Sequence, residues 1–185
     1  IQIDDLLDYA ESNRSRRGGK KLLNAARQVR GVTASPFEVQ ASMLFGLSRR
    51  LGGEGLLHFE NNYEIALDQK AKKIVNKDKV YADLHFVSAV GDRSVIVECQ
   101  GATEHGKVDA GIRDADRATA LQSMGYDVIL LTYEKMSDKD SFRTVAEMLA
   151  NKLGYPYRPK TDAMKAREDE LRRELLIDWA TLGEF

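Results

Sequence analysis

Two apolar segments in the middle of the chain each carry one acid: Val80-Tyr-Ala-Asp-Leu-His-Phe-Val87 holds Asp83, and Ser94-Val-Ile-Val-Glu-Cys-Gln-Gly101 holds Glu98. Between them, Ala89-Val-Gly-Asp92 has the composition of a hairpin tip, so the two segments are expected to pair as antiparallel strands. An ionised carboxylate in a buried strand costs several kcal/mol unless something pairs it. Two of them on neighbouring strands call for a common partner, and a divalent cation with hard oxygen ligands, Mg2+ or Mn2+, meets that need. Opposite residues of an antiparallel pair lie about 5 Å apart, so the right register lets Asp83 and Glu98 share one ion, whereas a slip of one residue separates them. The reading also requires that neither acid be taken up by a fixed arginine or lysine. Residues two apart on a strand share a face, which puts Gln100 beside Glu98 and His85 beside Asp83.

The remaining sequence organises around this hairpin. Helical spacing predicts helices over 3–12 and, more weakly, 20–30. Ser35-Pro36-Phe37-Glu38 has the residues of a capped helix start: Ser35 at the cap, Pro36 at the first position and Glu38 closing a capping box. A strand is expected over about 57–67, then a lysine-rich connection over 69–79 with a short strand at Lys73–Val75. Strands 80–87 and 93–99, a helix over 111–124, an apolar strand over Tyr126–Tyr133 and a helix from Ser137 and Asp140 to about 152 follow. Gly154-Tyr-Pro-Tyr-Arg-Pro159 reads as a linker, and Thr161 as the cap of a charged last helix with Met164, Leu171, Leu175, Trp179 and Leu182 on one stripe. The expected organisation is an N-terminal helical segment 1–32, an α/β core 33–153 with a mixed sheet flanked by helices, and a linker with an amphipathic helix over 154–185.

Composition sets the limits. At 185 residues, with 43% hydrophobic and 31% charged side chains, the chain has enough for one domain core with appendages. No apolar run approaches the roughly 20 residues of a membrane span, and the N-terminus carries no signal-peptide pattern. The single Cys99 excludes an internal disulfide and fits a reducing, cytoplasmic setting; it is expected to be a small core residue pointing away from Glu98. The chain opens at Ile1 without an initiator Met, as a piece of a longer protein would. Formal net charge is −1, yet Arg14, Arg16, Arg17, Lys20, Lys21, Arg27 and Arg30 form a basic stretch able to contact phosphates. A Gly-rich phosphate loop, a Ser nucleophile elbow and a Cys/His zinc pattern are all missing from the sequence.

The order of these pieces resembles the PD-(D/E)XK nuclease superfamily, nearest to the small restriction-endonuclease-like and very-short-patch-repair-like endonucleases. The resemblance runs from about Ser35 to Leu149. It rests on Ser35-Pro36-x-Glu38, Tyr81-x-Asp83, Val97-Glu98-x-Gln100-Gly101 with His105 beyond, Arg113-Asp114-x-x-Arg117, and Leu121-x-x-x-Gly125-Tyr126-x-Val128. It implies a restriction-endonuclease-like αβββαβ core and metal-dependent phosphodiester hydrolysis, most plainly of DNA, in a defence or repair system. Asp83 and Glu98 would hold Mg2+ (or Mn2+), Glu38 would hold a second ion or orient its waters, and His105 would contact a phosphate or shuttle a proton. Gln100 stands where the family usually carries Lys. It can orient a water but supplies no positive charge, and one lost donor at a reacting centre is worth about 3–4 kcal/mol. Arg113 and Arg117 would either reach the phosphate backbone or pair with Asp109, Asp114 and Asp116. Many such relatives cut as homodimers or within larger multidomain proteins. Two other readings stay open: a nuclease-like module that binds nucleic acid without cutting it, and an interaction module that docks a partner through the stripe ending at Trp179 and Leu182.

Overall fold

The computed structural model describes residues 2–100 and 108–177, with side chains for all of these except 108–114. The chain divides into two compact units, Ile1–Val32 and Thr33–Phe185. The first is a helical hairpin of α1 (Ile3–Ser12) and α2 (Gly19–Ala26), closed by Ala10, Leu23 and Ala26 with Leu6 and Leu7 against them.

The second unit is α/β. Its elements are α3 (Pro36–Gly46), a 3-10 turn at Arg49–Leu51, β1 (Phe59–Ala66), α4 (Gln69–Val75), β2 (Lys79–Val87), β3 (Ser94–Gln100), α5 (Val108–Ser123), β4 (Asp127–Thr132), α6 (Tyr133–Ser137), α7 (Lys139–Lys152) and α8 (Asp162–Leu175). The four strands form one mixed sheet in the order β1-β2-β3-β4; the first three are antiparallel neighbours and β4 runs parallel to β3. One face packs against α3, α7 and α8 through Phe45, Phe59, Leu84, Phe86, Val95, Val97, Phe142, Leu149, Leu171 and Leu175. Its centre is aromatic: the Phe45 ring meets Phe86 edge-on at 5.6 Å and Phe142 at 4.7 Å, and Phe59 stacks on Phe86 at 4.7 Å. The other face packs against α4 and α5 through Ile65, Ala71, Val80, Ala82, Ile96, Ala120 and Leu121. No described helix is long and apolar enough to cross a membrane.

The hairpin is as expected, with its tip closed by Ser88, whose hydroxyl donates to Asp92 Oδ1 at 2.6 Å. One expectation fails. Residues 69–75 are a helix, not a connection with a strand at Lys73–Val75. Asp68 caps it by accepting from the Ala71 N–H at 2.8 Å, and Asn76 ends it in the left-handed region. The lysines there are solvated flank, and the buried Ala71 is the anchor. In α8, Leu171 and Leu175 pack onto the chain's own core, whereas Trp179 and Leu182 lie outside the described residues.

The sheet changes face at one point. Phe59, Leu84 and Phe86 belong to the first cluster, while Ile65, Val80 and Ala82, farther along the same β1–β2 pair, belong to the second. The switch falls at Asn62, whose φ is 51°, and at Asp83: the ladder pairs Asn61 with Leu84 and Tyr63 with Ala82 but skips the position between. Pairing of β2 with β3 likewise ends at Leu84 and Val97. Asp83 therefore sits at a break in the ladder with β1 and just past the end of the pairing with β3.

Candidate functional site

Continuing the β2–β3 register one step beyond Leu84–Val97 places Asp83 opposite Glu98. Both acids lie on the α5 side of the sheet. Asp83 Oδ2 accepts the backbone N–H of Cys99 at 2.7 Å, which satisfies a β3 donor just where β2 departs. A hydrogen bond of this kind to a charged acceptor contributes about 1.5–3 kcal/mol. Glu98 is nearly enclosed, its side chain 3% exposed, and Asp83 is 14% exposed. Cys99 turns to the opposite face and packs with the first cluster, as expected of a core thiol. Burial pushes its pKa up, and the negative fields of Asp83, Glu38 and Glu98 add to this, with Arg117 opposing.

Of the two requirements set by the sequence, the first is met and the second is not. Arg117, on α5, pairs with Glu98 through Nη2, and the same nitrogen lies 3.7 Å from Asp83 Oδ2. Its side chain is 29% exposed. Among the described residues, the carboxylates Arg117 meets are Glu98 on β3 and Asp83 on β2. Position alone hinted at this, because Arg117 lies three and four residues before the buried Ala120 and Leu121 and so on the same stripe of α5.

Gln100 follows Glu98 by two residues on β3, half-buried and opposite Thr132 of β4. Glu38 is placed differently from the sequence expectation of an ion-binding or water-orienting role. Its Oε2 accepts the Ala34 N–H at 2.7 Å, its Oε1 accepts from the Ser35 hydroxyl at 2.8 Å, and its own N–H donates to Ser35 Oγ at 3.2 Å. The carboxylate is spent on the start of α3. Glu38→Ala is therefore expected to cost about 1–2 kcal/mol, the range of a lost helix cap, in urea unfolding, while Mn2+ affinity at the Asp83–Glu98 pair stays within about threefold. A loss of ion binding without a loss of stability would restore Glu38 to the site. His85 shares the α5 side, with its Nε2 2.9 Å from Ser94 Oγ and its ring stacked on Tyr63 at 4.2 Å; burial lowers its pKa, against a weaker pull from Glu60. His105 and the Arg113, Asp109 and Asp114 side chains lie outside the described set.

Arg117 Nη2 shows that two carboxylates converge on one cationic group, so the pair fits a cation by charge and direction. Among the described residues no group of three or more His, Cys, Asp or Glu gathers to hold a metal. An ion here would take two carboxylates and complete its shell with water and phosphate oxygens, the usual manner of Mg2+. It would have to take the place of the guanidinium. No family model, curated protein or solved structure matches this chain.

Proposed function

We propose that the chain is a metal-dependent endonuclease of restriction-endonuclease-like fold, acting on nucleic acid, most plainly DNA; because Arg117 pairs with the acids an ion needs, the reading requires the guanidinium to leave them when a metal enters. The observation that carries this reading is the convergence of Asp83 and Glu98, from adjacent strands, on a single cationic nitrogen. The strand order, with an antiparallel β1-β2-β3 followed through α5 by a parallel β4, supports the αβββαβ core that the sequence motifs suggest. Asp83 and Glu98 would hold Mg2+ or Mn2+, which when bound polarises a phosphate oxygen and lowers the pKa of a bound water. Gln100, on the same face, would orient that water by its amide. Arg117, once displaced, remains within a side-chain's reach of the site and can pair with the phosphate, the anion a guanidinium fits in a bidentate way.

The test is cleavage of supercoiled plasmid with Mn2+ or Mg2+. Nicking by the wild type, reduced at least about a thousandfold in Asp83→Ala and in Glu98→Ala, is the expected result. An intact plasmid, together with intact linear and single-stranded substrates, ends the hydrolase reading.

A second reading is favoured by two specific features. Arg117 already neutralises the acids, and Gln100 brings no charge to a transition state. On that reading the chain binds nucleic acid, or regulates a partner that does, without cutting it. Calorimetry then finds DNA binding and no heat of Mn2+ binding.

A further inference from the structure

The N-terminal unit carries a charge pattern that the metal site does not use. Residues 13–32 hold seven arginines and lysines and no acid, which leaves the rest of a chain of net charge −1 at −8. The fold concentrates these cations. In α2, Gly19, Leu23 and Ala26 turn inward, and Lys20 and Lys21 point to solvent. The turn between α1 and α2 exposes Arg14, Arg16 and Arg17. It is a tight turn: the Gly19 N–H donates to the Arg16 carbonyl at 2.9 Å, Gly18 has φ +83°, and a Cβ on Gly19 would lie 2.0 Å from the Asn13 carbonyl oxygen. Glu11 pairs with Arg14 and Arg27, each at 3.4 Å. None of Arg16, Arg17, Lys20 and Lys21 has a carboxylate partner among the described residues. Four exposed cations fixed within six residues of a glycine-built turn leave like charges crowded with no carboxylate paired to them among the described residues. Such an arrangement is stable when the counter-charge comes from outside.

We propose that this turn and the start of α2 form a docking surface for the phosphate backbone of duplex DNA, bound without regard to base sequence. Duplex DNA presents about one negative charge per 1.7 Å of axis, a denser array than a single strand offers, and so matches a compact four-cation patch best. Tyr9 is the one aromatic residue in 1–32, too few for a run of stacked bases. The inference stands apart from the metal chemistry and holds whether or not the acids cut.

The experiment is fluorescence anisotropy with a labelled 20-bp duplex and the full chain in EDTA, titrated across 25–200 mM KCl. Neutralising four phosphates gives a slope of log K against log salt of roughly −3.6. The expected result is that slope for two unrelated sequences of equal affinity. The quadruple variant Arg16→Gln, Arg17→Gln, Lys20→Gln, Lys21→Gln flattens the slope by about three to four and weakens binding at 50 mM at least a hundredfold, whereas Arg16→Lys with Arg17→Lys keeps both. In EDTA no metal is bound, so binding is read without cleavage, and an inactive metal site and a missing docking surface are told apart. The proposal is overturned by undiminished binding in the quadruple variant, by tighter binding to a single strand that depends on Tyr9, or by binding to phosphatidylserine vesicles in place of DNA.

Discussion

Arg117→Ala is expected to lower the unfolding midpoint of the metal-free protein by about 5–10 °C and to make that midpoint sensitive to Mn2+. The substitution takes away the guanidinium that pairs with a carboxylate only 3% exposed and lies 3.7 Å from a second. Breaking a fully buried pair from one side costs about 3–5 kcal/mol. Arg117 itself is 29% exposed, so water relieves part of that, and about 2–3 kcal/mol is the fitting figure. For a chain of this size each kcal/mol moves the midpoint by about 2–4 °C. Mn2+ then enters without having to displace the Arg117 guanidinium. At a hundredfold excess over its dissociation constant it returns about 2.7 kcal/mol, most of the loss. The wild type should bind the same ion at least about tenfold more weakly. Differential scanning calorimetry with and without Mn2+ reads all three quantities. If Mn2+ stabilises neither protein, the two acids are a structural ion pair and the hydrolase reading goes. If it stabilises both equally, Arg117 does not compete for the site.

The same arginine shows what could be read from residues and what could not. The apolar-acid-apolar pattern of 80–87 and 94–100, with its turn signal between, was enough for the hairpin, but its register, and with it a shared face for Asp83 and Glu98, stayed open until the Leu84–Val97 pairing fixed it, because the turn residues alone allow a one-residue slip. Glu38 was equally legible as a capping residue, since Ser35-Pro36-x-Glu38 specifies a local hydrogen-bond pattern that needs no tertiary contact. Long-range pairing was another matter. Arg117 lies on α5, the crossover between β3 and β4, and the carboxylates it meets among the described residues come from β2 and β3, far from it in sequence. The choice was decided by how α5 packs, through Ala120 and Leu121, onto Ile96. Residues 69–75 were misread for a related reason. A lysine-rich stretch has weak periodicity, and one buried alanine with an Asp cap is a faint signal next to tertiary docking. The break in the β1–β2 ladder at Asn62 and Asp83 was also hidden, since nothing in Asn62 or its surroundings requires a left-handed residue there.

Lys160→Met is expected to destabilise the second unit by about 3–4 kcal/mol, about 10 °C in midpoint, although Lys160 is far in sequence from every acid discussed so far. Its Nζ lies 2.8 Å from Glu54 Oε1 and 3.0 Å from Glu168 Oε2, and all three side chains are at most 6% exposed. Arg172 extends the cluster: its Nε donates to Glu168 Oε1 at 3.3 Å, its Nη1 donates to the Met136 carbonyl at 2.8 Å, and its guanidinium lies over the Phe142 ring. Glu54 has weaker company in Arg49, 4.0 Å away, and in the Tyr157 hydroxyl at 3.4 Å, whose pKa burial and Glu54 push up to about 12. The cluster joins the turn after α3, the segment leading into α8, and α8 itself. Gln40 Nε2 also holds that helix, donating to the Leu175 carbonyl at 2.7 Å, and Lys139 pairs with Asp169 on it. The helix buries little apolar surface beyond Leu171 and Leu175, and it lies so close to the turn that a Cβ on Gly52 would be 2.4 Å from the Arg167 carbonyl oxygen. Methionine keeps the apolar stem of Lys160 and removes its charge, so the variant isolates the electrostatic loss. Glu54 then faces burial with long contacts to Arg49 and the Tyr157 hydroxyl among the described residues, whereas Glu168 keeps Arg172. The double variant Lys160→Met, Glu54→Gln should therefore recover at least half of the loss, a coupling that urea unfolding of the two single variants and the double measures directly. The single variant should also speed hydrogen exchange across α8 more than across β2 and β3, because the helix loses its main tie while the sheet keeps its own. A loss below about 1 kcal/mol, or one that Glu54→Gln fails to relieve, would mean that the leucine contacts alone dock the helix.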